Sequence, residues 1–145
     1  KIAPDLADED IVAVVDFCLA EKVDGLVATN TTVTRAGLAT TAREVEAIGV
    51  GGLSGAPVRR RATEVIARAY KRADGRLPIV GVGGVSSADD AWEKLEAGAS
   101  LVQVYTGFIY EGPTLAADIT RGLAARIVRE GVTSIAEVVG RAHAK

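Results

Sequence analysis

"LPIVGVGGVSSADDA", Leu77 to Ala91, joins a β-branched apolar run to two adjacent glycines and then to a segment rich in serine and aspartate. Short runs of Val and Ile bounded by glycine read as buried strands, and Ser or Asp ahead of the next apolar-periodic segment reads as a helix start. The stretch is therefore a βα unit whose turn is made by Gly83 and Gly84, where a side chain would ordinarily help packing. Without Cβ atoms, such a turn lets backbone N–H groups approach an anion closely, and the following helix adds its positive dipole end. The plain alternative is a tight turn.

The same pattern recurs on both sides. "KIAP", Lys1 to Pro4, is expected as a first strand, followed by a helix over Ala7–Lys22 with an acidic start and an apolar stripe of Ile11, Val14, Val15, Cys18 and Leu19. A second strand is expected over Asp24–Asn30, then a long loop through "VGGLSG". A helix over Ala56–Ala73 follows, with Pro57 at its start and Val58, Val65, Ile66 and Ala69 turned inward. The third strand is Leu77–Val82, with a helix over about Ser87–Ala97. The fourth is Ser100–Thr106, followed by a helix over about Pro113–Glu130 and a short terminal helix over about Ser134–Ala142. Apolar strands alternating with helices argue for a parallel sheet covered by helices.

Four consecutive βα units fit part of a doubly wound sheet or half of a barrel, and glycine placement favours the barrel. In (β/α)8 barrels a phosphate frequently binds between the loops after strands seven and eight, near a short extra helix. "GVGG" and "YTGF" would be those loops. With "GGLSG" at an equivalent position, the anion reading outweighs the plain turn. The expected fold is α/β, the second half (about four βα units) of a (β/α)8 TIM barrel, with residues 1–145 forming the C-terminal half of one domain.

Composition narrows the function classes. The 145 residues are 48% hydrophobic with a formal charge of −2, which suits a folded domain and advertises no polyanion partner. The single cysteine, Cys18, closes no intrachain disulfide, and a reducing compartment is expected. No apolar run reaches the roughly 18–20 residues of a membrane span. The chain opens on Lys1 and contains no methionine, so a segment of a longer protein is expected. Arg59, Arg60, Arg61, Arg68, Lys71, Arg72 and Arg76 form a basic run, but no aromatic residues interleave for base stacking; it reads as a solvated helix face rather than a nucleic-acid site. His143 stands alone and no Cys/His cluster accompanies it, so no metal is expected. Trp92 and Phe108 are expected to pack rather than to stack on a ligand.

Five ordered motifs carry a family resemblance: "KIAPDL", "DGLVATNTT", "GGLSG", "LPIVGVGGV" and "AGASLVQVYTGFIYEGP". In that order and spacing they resemble the C-terminal half of the dihydroorotate dehydrogenases, specifically class 2, the quinone-reducing type. The soluble class tends toward a "VGT" ending of its last strand, whereas "VYTGFIYEGP" is similar to class 2; Thr106 stands where class 2 members often carry serine. The resemblance implies FMN as cofactor, oxidation of dihydroorotate to orotate in pyrimidine (UMP) biosynthesis, and a membrane quinone as electron acceptor. It implies FMN contacts at Lys1, Thr29, Gly55, Gly84, Tyr105 and Thr106, with Lys1 beside the flavin's pyrimidine edge, and contacts to the orotate ring at Asn30 and Thr31. It assigns the catalytic serine base to an N-terminal half of the barrel, together with the quinone tunnel and helices that meet the cytoplasmic side of the cell membrane peripherally. The 145-residue segment alone is then expected to be inactive. Another flavin- or phosphate-binding (β/α) barrel enzyme, and a noncatalytic half-barrel assembly module, stay open as readings.

Overall fold

Three short strands pair in parallel in the order β1 (Leu26–Ala28), β2 (Ile79–Val82) and β3 (Leu101–Gln103), in a computed structural model that describes residues 1–144. Their register sets Ala28 opposite Gly81 and Gly81 opposite Val102, so all three strands end at one level. Parallel strands need crossover connections, and helices supply them here. Helix α1 (Asp8–Ala20) precedes β1, α3 (Arg59–Ala73) joins β1 to β2, and α4 (Ala88–Glu96) joins β2 to β3. After β3 come a short α5 (Thr106–Glu111) and α6 (Leu115–Glu130).

The larger core lies between the sheet, α1 and α3, around Ile11, Val15, Val65, Ile66, Ala69 and Ile79, all fully buried. Each such branched side chain contributes about 1.5–3 kcal/mol of transfer free energy. The expected stripe on α1 is present: Ile11, Val15 and Cys18 are buried, while Val14 and Leu19 pack at its margin. Further along the same helical layer, Val85, Ala91, Leu115 and Ile119 join α4 to α6. Trp92 is buried as expected, with the guanidinium of Arg126 4.4 Å from its ring centroid and that of Arg141 at 5.7 Å.

Several expectations are corrected. Lys1–Pro4 is not a strand: only Ile2 pairs, forming a parallel bridge to Ala28 through hydrogen bonds of 3.0 Å to Val27 and 2.8 Å from Asn30. Pro4, with no N–H, cannot extend that ladder. The long loop after β1 contains a helix, α2 (Ala42–Ile48), begun by a capping box in which Thr41 and Glu44 satisfy each other's backbone N–H. None of its residues is buried, so it has no apolar stripe for periodicity to reveal. The last helix is instead two 3-10 turns, Ile135–Glu137 and Arg141–His143, separated by Gly140 at φ +76°.

The basic run on α3 is also more than a solvated face. Arg72 grips Asp16 of α1 with two bonds of 2.6 and 2.7 Å, Arg68 pairs with Asp8, and Arg61 donates to the carbonyls of Pro4 and Leu6 at 2.8 Å. Phe108 is 46% exposed rather than packed, and it joins none of the core clusters among the described residues. Leu101 on the open edge strand β3 is 65% exposed, and Ile109 and Tyr110 are exposed as well. An unpaired strand edge flanked by apolar side chains is a template for association. The 145-residue chain is therefore expected to self-associate or aggregate; a monodisperse monomer by light scattering would refute the edge argument.

Candidate functional site

The common level of the three strand ends brings their loops together around a cavity of about 260 Å³. Its wall includes Lys1, Thr29, Asn30 and Thr31 from the β1 side, and Gly55 from the loop before α3. Gly84 contributes from the turn after β2, and Tyr105 and Thr106 from the end of β3. All eight residues singled out from the sequence line this one cavity, although they span 106 positions of the chain.

Local bonding explains how they are held. The Thr29 N–H donates to Val82 at 2.8 Å, tying the end of β1 to that of β2, and its hydroxyl donates to the Asn30 carbonyl at 2.9 Å. Thr29 is 2% exposed, whereas Asn30 and Thr31 face solvent. Thr32 and Leu53 exchange backbone bonds of 3.0 and 2.8 Å, which fixes the "GGLSG" loop against the β1 loop. A Cβ on Gly52 would lie 1.9 Å from the Thr31 hydroxyl, so this glycine makes room for a cavity residue. Thr106 donates to the Ser54 hydroxyl at 2.9 Å and joins that loop to the start of α5. Tyr105 caps α5 with its backbone, and its ring is 75% exposed.

Gly84 takes φ +68°, and a Cβ on it would lie 2.4 Å from the Cβ of Arg59 and 2.8 Å from its Cα. The turn therefore needs glycine to lie on the first turn of α3, whatever it binds. What points to an anion is a different observation. Among the described residues, the backbone N–H groups of Gly55, Gly83, Gly84 and Val85 donate to no protein acceptor, although all four residues line the cavity. Unpaired backbone donors gathered at one place are what an anion satisfies.

Behind the turn, Asp90 is nearly buried and collects bonds from the Ser86 N–H (3.1 Å), the Ser86 hydroxyl (3.1 Å), the Ser87 hydroxyl (2.9 Å) and the Arg59 guanidinium. Desolvation pushes its carboxyl up, but those donors together outweigh burial and hold it below the ordinary carboxylate value. Sequence reading missed this group, as well as Ser54, Gln103 and Gly107 in the cavity wall. Gln103 had a signal, being a polar side chain set among Leu101, Val102 and Val104 in the middle of the expected strand. Lys1 lies at the rim with its side chain in solvent.

Residues 1–127 match the sequence profile of dihydroorotate dehydrogenase. The chain belongs to the dihydroorotate dehydrogenase family. It is 55% identical over 140 residues to a dihydroorotate dehydrogenase (quinone) of Thermobifida fusca, covering 97% of this chain and 37% of that protein. It is 54% identical over 142 residues to that of Mycolicibacterium vanbaalenii, covering 98% and 40%. Among solved structures, a dihydroorotate dehydrogenase of Eimeria tenella in complex with ferulenol superposes with a TM-score of 0.90 at 34% identity, over 99% of this chain and 37% of that one. The chain thus spans well under half the length of the relatives it matches. Among the described residues, no helix is long and apolar enough to cross a membrane, and no group of three or more His, Cys, Asp and Glu side chains could hold a metal ion.

The Asp90 cluster yields a pH test. A carboxyl held below its unfolded value stabilises the fold above that value, and the contribution is lost as pH falls through the lowered one. In the protein at the full length of its relatives, Asp90→Asn is expected to cost about 1–3 kcal/mol at pH 7, as loss of a buried hydrogen-bonded charge does. The difference from the unsubstituted protein should shrink toward pH 3; equal melting temperatures at pH 7 would overturn the assignment.

Proposed function

We propose that the cavity is the flavin and substrate pocket of a quinone-dependent dihydroorotate dehydrogenase, whose barrel residues 1–145 complete as its C-terminal half. The observation that carries this reading is the gathering of all eight motif residues around one cavity, with unpaired backbone donors at Gly55 and Gly84. The phosphate end of FMN suits the turns at Gly55 and at Gly83 and Gly84, whose backbone N–H groups have no protein acceptor among the described residues and which lie beside the start of α5. Thr106 and Tyr105 belong to that end, and Thr29 closes the cavity wall beside it.

Bound FMN would supply the redox step, accepting a hydride equivalent from dihydroorotate and passing electrons to a quinone. The residues here orient and exclude. The Lys1 ammonium, at the rim, places positive charge where a reduced flavin ring gathers negative charge. The Asn30 amide both donates and accepts, which suits a pyrimidine edge of alternating N–H and C=O groups, and the Thr31 hydroxyl adds a third polar contact. The serine base, the quinone tunnel and peripheral contact with the cytoplasmic side of the membrane belong to the other half in this reading, so the segment by itself does not turn over substrate. Its place is the redox step of pyrimidine synthesis.

In the protein at full relative length, Asn30→Ala should raise the apparent dihydroorotate KM or lower kcat by the equivalent of about 1–3 kcal/mol, the usual cost of leaving a polar ligand group unpaired. The flavin absorption of the purified variant should be unchanged. Loss of flavin in step with activity would place Asn30 against the cofactor rather than the substrate; a colourless unsubstituted protein that takes up no FMN would overturn the reading as a whole.

A further inference from the structure

Lys94 is the largest charged side chain wholly inside the fold, at 0% exposure, and the cavity chemistry does not use it. Its ammonium reaches from α4 to α3, donating to the Arg59 carbonyl at 2.8 Å and to the Thr63 hydroxyl. Both partners are neutral oxygens. Of the carboxylates on its own helix, Glu93 and Asp90, the latter is committed to Arg59, Ser86 and Ser87, and Lys94 makes no ion pair among the described residues. A buried ammonium without a counterion is costly, and a methionine or leucine of similar volume would ordinarily serve stability better.

Its position gives a reason to keep it. The residue whose carbonyl it holds, Arg59, is the one on which Gly84 packs, and Gly83 lies against Val58 and Ala62 of the same helical turn. Asp90 grips that residue from its other end and also holds the N–H of Ser86, two residues past Gly84. The start of α3 is thus clamped twice from α4, directly behind the unpaired donors of the glycine turn.

We infer that Lys94 is a positioning residue for the anion seat: it fixes the first turn of α3 under Gly83 and Gly84 and sets behind them a positive charge that no ion pair engages. An anion seated on the turn adds to the counter-charge that Glu93 and Asp90 supply only from a distance. This rests on reading that seat as the FMN phosphate site, and it adds that the affinity for the phosphate, not for the flavin ring, depends on the charge of Lys94. Burial pulls the Lys94 ammonium down to about 8, so that charge is lost within a convenient range. The charges acting on it are Glu93 and Asp90 on α4, which favour the ammonium, and Arg59 on α3, which opposes it; from β2 it meets Gly81, which carries none.

The test compares FMN with riboflavin, which lacks the phosphate, on apo-protein at the full length of its relatives. Lys94→Met should weaken FMN binding roughly tenfold, the scale of one charge interaction in a partly buried site, while riboflavin affinity stays within about twofold. For the unsubstituted protein, FMN affinity should fall severalfold from pH 7 to pH 9 and riboflavin affinity should not; the Met variant should lose this dependence. Equal FMN affinity in the Met variant, or a parallel loss of both ligands, overturns the inference. Should that variant fail to fold, the pH series on the unsubstituted protein decides alone, and a flat FMN profile overturns it. Failure of the unsubstituted protein to bind either flavin would refute the pocket reading, and this inference with it.

Discussion

The parallel ladder that sets Ala28, Gly81 and Val102 side by side is the constraint on which the site depends. In a parallel sheet every strand leaves at the same side, so three loops remote in sequence must meet beyond the last ladder pair. The Thr29–Val82 bond continues the pairing one residue past β1 and ties the first two loops together. The Thr32–Leu53 bridge and the Thr106–Ser54 contact then draw in the "GGLSG" loop and the start of α5. No cavity residue comes from the far ends of the strands, which is the arrangement expected where (β/α) architecture carries a binding site.

What was legible in the sequence follows from which forces are local. The glycine pairs, the Val/Ile runs and the stripe on α1 are short-range signals, and β1, β2, β3, α1, α3, α4 and α6 lie where those signals put them with their ends trimmed, whereas Lys1–Pro4 forms only the Ile2 bridge and Thr106 opens α5 rather than closing β3. The cavity residues were legible through the resemblance carried by five ordered motifs; Thr29, Asn30, Gly84 and Tyr105 also follow strand ends, whereas Lys1 and Gly55 do not. Helix α2 was not, since it buries nothing and rests on one capping box. Nor was the inner role of the arginines on α3: a guanidinium at one helix surface reads the same whether it faces water or reaches Asp16 on a neighbour 56 positions away. The pair at Asp90 and Lys94 was equally hidden, because burial of a charge depends on which helix packs over it.

The two charged residues buried on α4 divide the helix in function. Its apolar side chains, Ala91, Trp92 and Leu95, hold the sheet and α6, whereas Asp90 and Lys94 face α3. The spacing of four brings both to one stripe, so a single helix face sets the separation of two helix starts. That separation is the width of the gap from which the glycine turn emerges. Packing on one side and polar contacts on the other make α4 the common reference for both halves of the sheet.

The ring of Tyr70 occupies the space that side chains on Gly98 and Gly140 would fill: a Cβ on either would lie 2.2 Å from it. His143 stacks over the ring at 5.6 Å between centroids and reaches the Ala97 carbonyl, and the Gly140 N–H donates to Leu95. Three positions spread over seventy residues are thereby coupled in what they can become. A bulkier residue at Gly98 or Gly140 meets both the ring and a left-handed backbone, at φ +116° and +76°, and loss of the tyrosine alone leaves a void between two glycines. The three positions of this rear corner are constrained together, while Arg60, exposed and paired among the described residues with Glu64, is free to change by itself.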